Sequence, residues 1–324
     1  MLIDDLINAN QIANLGPDDC ARFQARLRAA TKFDLAPDFA ASADALSAEF
    51  TNVAKAIPFC RLPFKSVWVE VAQNARPRFS AADIHVPVMQ GRPKRVGFLI
   101  DAVDDRLSSF RAHQFWSFYE KDKLPNISEL AMKFSPENMT DEYDTRLDSA
   151  EDGRILKIES SPEWLKAPKS IRARLHSVLG PEAPDFYTSW GEMYAKGEDE
   201  IAKLSYEVSI ADWSGESMFL LAMLALLNTR NAHERLPIDV RKINDSRKKR
   251  GDPPLAEYSV VRMHRRIRDR VASRGTDAST SSALKWHMVM GHWKVRRTGI
   301  FFWHPYGRGS LKKGKVDKSY RVME

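Results

Sequence analysis

The sequence predicts an α+β protein, and three observations carry that assignment. Residues 1–57 repeat apolar positions at helical spacing, residues 62 to about 160 shift towards a period of two, and the C-terminal stretch mixes aromatics with glycines as short strands and tight turns do. The expected organisation is a helical N-terminal segment (1–57), a mixed, acidic central region with an antiparallel sheet and a buried helix (58–229), and a small basic C-terminal domain (230–324) made of a basic helix and an antiparallel sheet. At 324 residues the chain exceeds the roughly 100–200 residues of one domain, and with 43% hydrophobic content it can bury substantial cores.

The first segment places Leu2, Leu6 and Ile7 at helical spacing. Pro17 followed by Asp18 and Asp19 is a helix start, because proline suits the first helical position and acidic side chains complement the exposed N–H groups. Ala36–Ala56 is alanine-rich, with Phe39, Leu46, Phe50 and Val53 along one stripe. Next, Val67, Val69 and Val71 alternate against Trp68 and Glu70, followed by the Val96–Ile100 run and the aromatic-rich stretch Phe110–Tyr119. Between Glu137 and Asp152 seven carboxylates stand against one arginine, Arg146. A solvated acidic loop accounts for them better than a metal site, because no carboxylate pair is pinned to a recognisable strand end. Helices are expected at Pro168–Leu179, Met193–Ile210 and Ser214–Asn228, the last capped by Ser214, with Glu216 in its first turn and apolar residues nearly all round.

Several function classes have no support. Cys20 and Cys60 are the only cysteines and neither sits at ligand spacing, which excludes a disulfide framework and fits a reducing cytoplasm. The opening MLIDDLINAN lacks a signal-peptide pattern, and the longest apolar run, Met218–Leu227, is half the ~20 residues a membrane span needs, so no membrane partner is expected. Walker, Rossmann, nucleophile-elbow and zinc-protease motifs are absent, and no cofactor is expected.

The charge distribution is uneven. Residues 230–324 carry 24 Lys and Arg against 9 Asp and Glu, a balance of +15, while residues 1–229 carry 26 against 34, a balance of −8. A basic domain joined to an acidic one suggests a polyanionic partner, with nucleic acid first. A helix from Ile238 should end near Arg250, because Gly251 supplies a C-terminal cap and Pro253 with Pro254 cannot continue it. On it Arg241 and Lys248 share a face, as do Lys242 and Lys249, while Val240 and Ile243 are positioned to reach a core. With Arg247 and Arg250 these residues form an amphipathic basic helix suited to successive phosphates, and Arg265 and Arg266 extend the run. A solvated charged surface is the competing reading.

After a Ser/Thr/Gly-rich break comes the densest segment, with strands expected at Leu284–Val295, Gly299–Trp303 and Ser319–Val322, joined by Tyr258–His264. Here Lys285, Lys294, Arg296, Arg297, Arg308, Lys312 and Lys313 could meet phosphates, while Trp293 and Trp303 offer rings to bases. The same aromatics could equally be the core of a small domain.

The series LPFKSVWVE (62–70), RVGFLI (95–100), KINDSRKKRGDPPLAEYSVV (242–261), HMVMGHWKVRRTGIFFWHPYGRG (287–309) and GKVDKSY (314–320) resembles an uncharacterised family of phage and prophage proteins. The likeness spans about a quarter of the chain and is most specific in the last two elements. Met290 departs from it where the family usually has arginine, and Tyr306 where it often has histidine. The resemblance implies a virus-associated origin and carries over no activity.

Catalysis stays open on these residues. A metal-independent nuclease could use His287 or His292 as base, Arg308 against the developing phosphorane charge and Tyr320 or the second histidine as acid. A metal site is disfavoured, because neither a cysteine nor a carboxylate is placed to complete a shell. The expected function is therefore nucleic-acid binding, DNA or RNA, by a phage-encoded protein of the host cytoplasm. The alternative is a virion or assembly component, or an inhibitor docking on a host or phage protein, in which the basic tail meets an acidic protein surface or a second copy of this chain.

Overall fold

Residues 67–71 are buried without interruption, so both faces of the sheet are covered there. The computed structural model describes residues 1–76, 93–120, 122–142, 167–182, 200–229, 231–264, 285–289, 291–296, 298–303, 306–308 and 310–315. Strands β1 (Thr31–Leu35), β2 (Ser66–Ala72), β3 (Pro93–Ala102), β4 (Phe110–Phe118), β5 (Asn126–Phe134), β6 (Leu179–Glu182), β7 (His233–Ile238) and β8 (Tyr258–Met263) form one eight-stranded sheet in the order β6-β5-β4-β3-β2-β1-β8-β7. From β2 to β6 every neighbour is antiparallel, as the period-two pattern predicts. β1 lies parallel to both β2 and β8.

On one face sit helices α1 (Leu2–Asn8) and α2 (Pro17–Ala29), whose Leu2, Leu6, Phe23 and Leu27 pack on Trp68, Leu99, Phe115 and Ile127. On the other sit α3 (Pro37–Ser47), α4 (Phe50–Ala56), α5 (Lys169–Val178) and α6 (Glu200–Leu227), over Val67, Val69, Val71, Phe98, Ile100 and Met132. The two sets of strand residues alternate, so one sheet serves two cores. Cys20 and Cys60 are both buried, one in each core, and the sheet between them rules out a bond. No described helix is long and apolar enough to cross a membrane.

Both cores contain buried charge. Beneath α1 the carboxylate of Glu70 accepts hydrogen bonds from the backbone N–H of Ile3 (2.9 Å) and Leu2 (3.2 Å) and from the Trp68 indole (3.1 Å), and ion-pairs with Arg95 at 2.7 Å. Burial pushes this carboxyl up, while Arg95, the Ile3 amide and the indole pull it down. Arg95 also pairs with Asp34. On the opposite face Arg76 donates to both oxygens of Glu216 (2.9 and 2.7 Å) and its guanidinium lies 3.9 Å from the centroid of the Phe219 ring.

Several expectations are corrected. The 1–57 segment contains β1, a five-residue strand whose Phe33 and Leu35 are drawn into the sheet by pairing on both sides, which overrides the helical surroundings. The stripe Phe39, Leu46, Phe50 and Val53 is buried as expected, on two helices rather than one. α6 is one 28-residue helix, so no helix starts at residue 214, which is interior, and Glu216 is a buried partner of Arg76 rather than a first-turn acid. A single interior serine costs a helix only a fraction of a kcal/mol, roughly 0.5, too little to break it. Tyr258–Met263 joins β1 in the main sheet instead of the small C-terminal one, and β7 comes with it, so the basic stretch from residue 230 is partly built into the same sheet as residues 31–134.

Leu284–Val295 is not one strand. It divides into β9 (Lys285–Val289) and β10 (His292–Arg296) around Gly291, a residue that weakens a strand because it has no side chain to pack. β10 pairs with β11 (Gly299–Trp303), whereas β9 pairs with β12 (Tyr306–Arg308) and β13 (Ser310–Lys315). Ser319–Val322 and residues 143–152 of the acidic stretch lie outside the described residues. Within its described part, Asp141 pairs with Arg174 and Glu137 accepts from the Ser109 hydroxyl (2.7 Å).

Candidate nucleic-acid interface

The basic helix α7 (Arg241–Lys249) is set at both ends by local chemistry. Asp239 accepts from the Arg241 backbone N–H (3.0 Å) and grips its guanidinium at 2.9 and 2.8 Å, which holds the carboxyl down at about 2. Ile238 closes β7, so the helix begins three residues later than expected. At the other end the Gly251 N–H donates to Lys248 O (3.2 Å) and the Asp252 N–H to Arg247 O (3.0 Å), the paired bonds of a Schellman motif. Gly251 has φ +76°, which glycine adopts without penalty. Asn244 then exchanges hydrogen bonds with the Leu255 backbone (3.1 and 2.8 Å), folding the Pro253-Pro254 return against the helix.

Val240 is buried as expected, but Ile243 is 49% exposed, because the helix meets the body through Asn244 rather than through a second apolar contact. Arg241, Lys242, Lys248, Lys249 and Arg250 are exposed. Arg250 pairs with Asp252, Arg241 with Asp239, and Arg247 donates to Pro253 O (2.7 Å). Lys242, Lys248 and Lys249 form no ion pair among the described residues.

The β10–β11 hairpin forms the second part. Its register sets His292 opposite Trp303, Lys294 opposite Phe301 and Arg296 opposite Gly299, with Trp293 opposite Phe302 between them. Trp293, Ile300 and Phe302 join the core that contains α4 and α6, so Trp293 is a packing residue and not a base platform. The alternate set points away from that core, with Trp303 40% exposed and the Lys294 ammonium 4.3 Å from its ring centroid. His292 lies 5.9 Å from the same ring. The Asn231 side chain brackets the strand from α6's end, donating to Phe302 O (3.1 Å) and accepting from Phe302 N–H (3.2 Å).

The described catalytic candidates fall on two sheets. His287, on β9, is the register partner of Arg308, on β12, and Arg308 is exposed. His292 belongs to a different sheet. Lys285, Lys312 and Lys313 fall on β9 and β13 of the three-stranded sheet. Tyr320, Arg265, Arg266 and Arg297 lie outside the described residues. Among the described residues no group of His, Cys, Asp and Glu is clustered as a metal centre. Phe301 and Asn231 were missed in the sequence. Phe301 could have been found by laying GIFFW against HWKVR in antiparallel register, which puts it beside Trp303 on the outward face. No protein-family model, curated protein or solved structure matches the chain.

Proposed function

We propose that the protein binds nucleic acid through its basic C-terminal third, as a phage- or prophage-encoded protein working inside the host cell. One observation supports this most: α7 carries three exposed lysines, Lys242, Lys248 and Lys249, that form no ion pair among the described residues, with Asp245 the one carboxylate on the helix. Like charges held close on a short helix repel one another unless a polyanion compensates them. The arginines nearby find partners within the same stretch, at Asp239, Asp252 and Glu234, so the acidic portion of the chain is not spent on them. The resemblance to phage proteins in KINDSRKKRGDPPLAEYSVV covers this helix from Lys242 onwards and supports the viral origin alone.

The test is fluorescence anisotropy of the full chain with labelled DNA and RNA between roughly 50 and 200 mM salt. Affinity should fall steeply, and a Lys242→Glu, Lys248→Glu, Lys249→Glu variant should lose affinity and lower the log–log salt slope by about 1 per contact removed. Flat or absent binding removes the proposal. Metal-independent phosphodiester cleavage is a second reading, favoured by the register pairing of His287 with Arg308. On that reading His287→Ala abolishes cleavage and leaves binding and melting temperature unchanged, whereas loss of folding marks a structural histidine.

A further inference from the structure

We propose that the outward face of the β10–β11 hairpin is a platform for unpaired bases, so that the protein prefers single-stranded over duplex nucleic acid. This rests on the nucleic-acid reading and adds the strand state that is recognised. The inward face of the hairpin is ordinary core: Trp293, Ile300 and Phe302 are 6%, 4% and 3% exposed. An antiparallel hairpin with one buried face normally presents polar residues on the other. Here the other face holds Trp303 and Phe301 in file on β11, with His292 and Lys294 opposite them on β10 and Arg296 beyond.

Spacing determines what such a file can hold. Residues two apart on a strand stand about 6.8 Å apart, twice the ~3.4 Å rise per nucleotide of a duplex strand. Two neighbouring bases can therefore lie on Trp303 and Phe301 only when drawn out of the helical stack, a state open to unpaired strands. Lys294, 4.3 Å from the Trp303 centroid, already shows that ring accepting a cation on its face. When a base takes the ring, the ammonium is within reach of the adjoining phosphate, and Arg296 continues the line of positive charge. The platform is also held in shape before any ligand arrives, because the Asn231 amide fixes the Phe302 backbone from both sides.

The experiment titrates the full chain with labelled oligothymidylate, oligouridylate and a blunt duplex of matched length at one salt concentration. Both single strands should bind more tightly than the duplex; tight binding by oligouridylate alone would support the platform and assign RNA. Trp303→Ala should weaken single-strand binding by about 5- to 100-fold, the usual range for a base–aromatic stack, with little change for duplex. Trp303→Phe should retain most of the affinity, and an unchanged melting temperature for both variants excludes misfolding. If Trp303→Ala weakens single strands and duplex alike, or changes neither while Lys248→Glu with Lys249→Glu weakens both, the platform is overturned and polyanion binding stands. If the parent chain binds none of the three ligands, both proposals fall together.

Discussion

At Gly97 the sheet has room for the Trp68 indole only because no side chain is there. A β-carbon at that position would come within 2.2 Å of two indole carbons, inside a ring that is fully buried and whose N–H is committed to Glu70. Gly97→Ala should therefore destabilise the protein by about 1–3 kcal/mol, the usual cost of overpacking, read as a lower denaturation midpoint with an unchanged slope. The histidines give a pH prediction at the same scale. Burial, with Arg235 adding to it, holds His233 down at about 4, and burial with Arg26, Arg111 and Arg22 holds His113 well below its usual range. Below about 6.5 the unfolded chain binds protons that these imidazoles refuse in the fold. Their contribution is therefore complete above pH 6.5 and declines as pH falls towards 4. Glu70 and Glu216, pushed up by burial, act in the opposite direction, so the informative comparison is a single variant. His233→Gln should flatten the fall in melting temperature between pH 6.5 and 4 relative to the parent chain, and an unchanged slope would assign the fall to other groups.

Helix α7 shows which part of an element its sequence reveals. Its stop was legible, because Gly251 and the two prolines act through the backbone of their own few residues. An alanine β-carbon at Gly251 would meet nothing within 4 Å, so the cost of Gly251→Ala is the left-handed backbone alone. About 1–2 kcal/mol of stability should be lost in a urea titration, with the last turn of α7 exchanging its amides faster. Choices made between distant segments were not legible. TKFDL carries no mark that it will sit between residues 67–71 and 259–261, and EYSVVRM reads equally well as a partner for the C-terminal hairpins. The break expected before Ser214 was inferred from a local capping signal that the continuous helix α6 overrides. For the candidate interface, the exposed lysines were readable from charge, but the division of tryptophans into a buried Trp293 and an exposed Trp303 required the register.

Over the whole molecule, the split between a −8 portion and a +15 portion allows association of one copy's tail with another's body. The described arginines argue for a local settlement instead, since Arg241, Arg250 and Arg262 pair with carboxylates of their own stretch. The molecular mass from light scattering should accordingly stay constant as salt is raised, and dissociation with salt would restore a second copy as the tail's partner. The placement of β1 also has a consequence for synthesis. Its two parallel neighbours are completed at Ala72 and Met263, so one side of β1 pairs early and the other must wait for nearly two hundred further residues. Until then a growing chain presents β1 as an open edge flanked by buried-type side chains, a template for wrong pairings and a natural point of chaperone dependence. Cutting the chain before β8 leaves that edge open permanently and β7 without its neighbour, which makes a truncated N-terminal fragment prone to aggregate however stable its other five paired strands, β2 to β6, are.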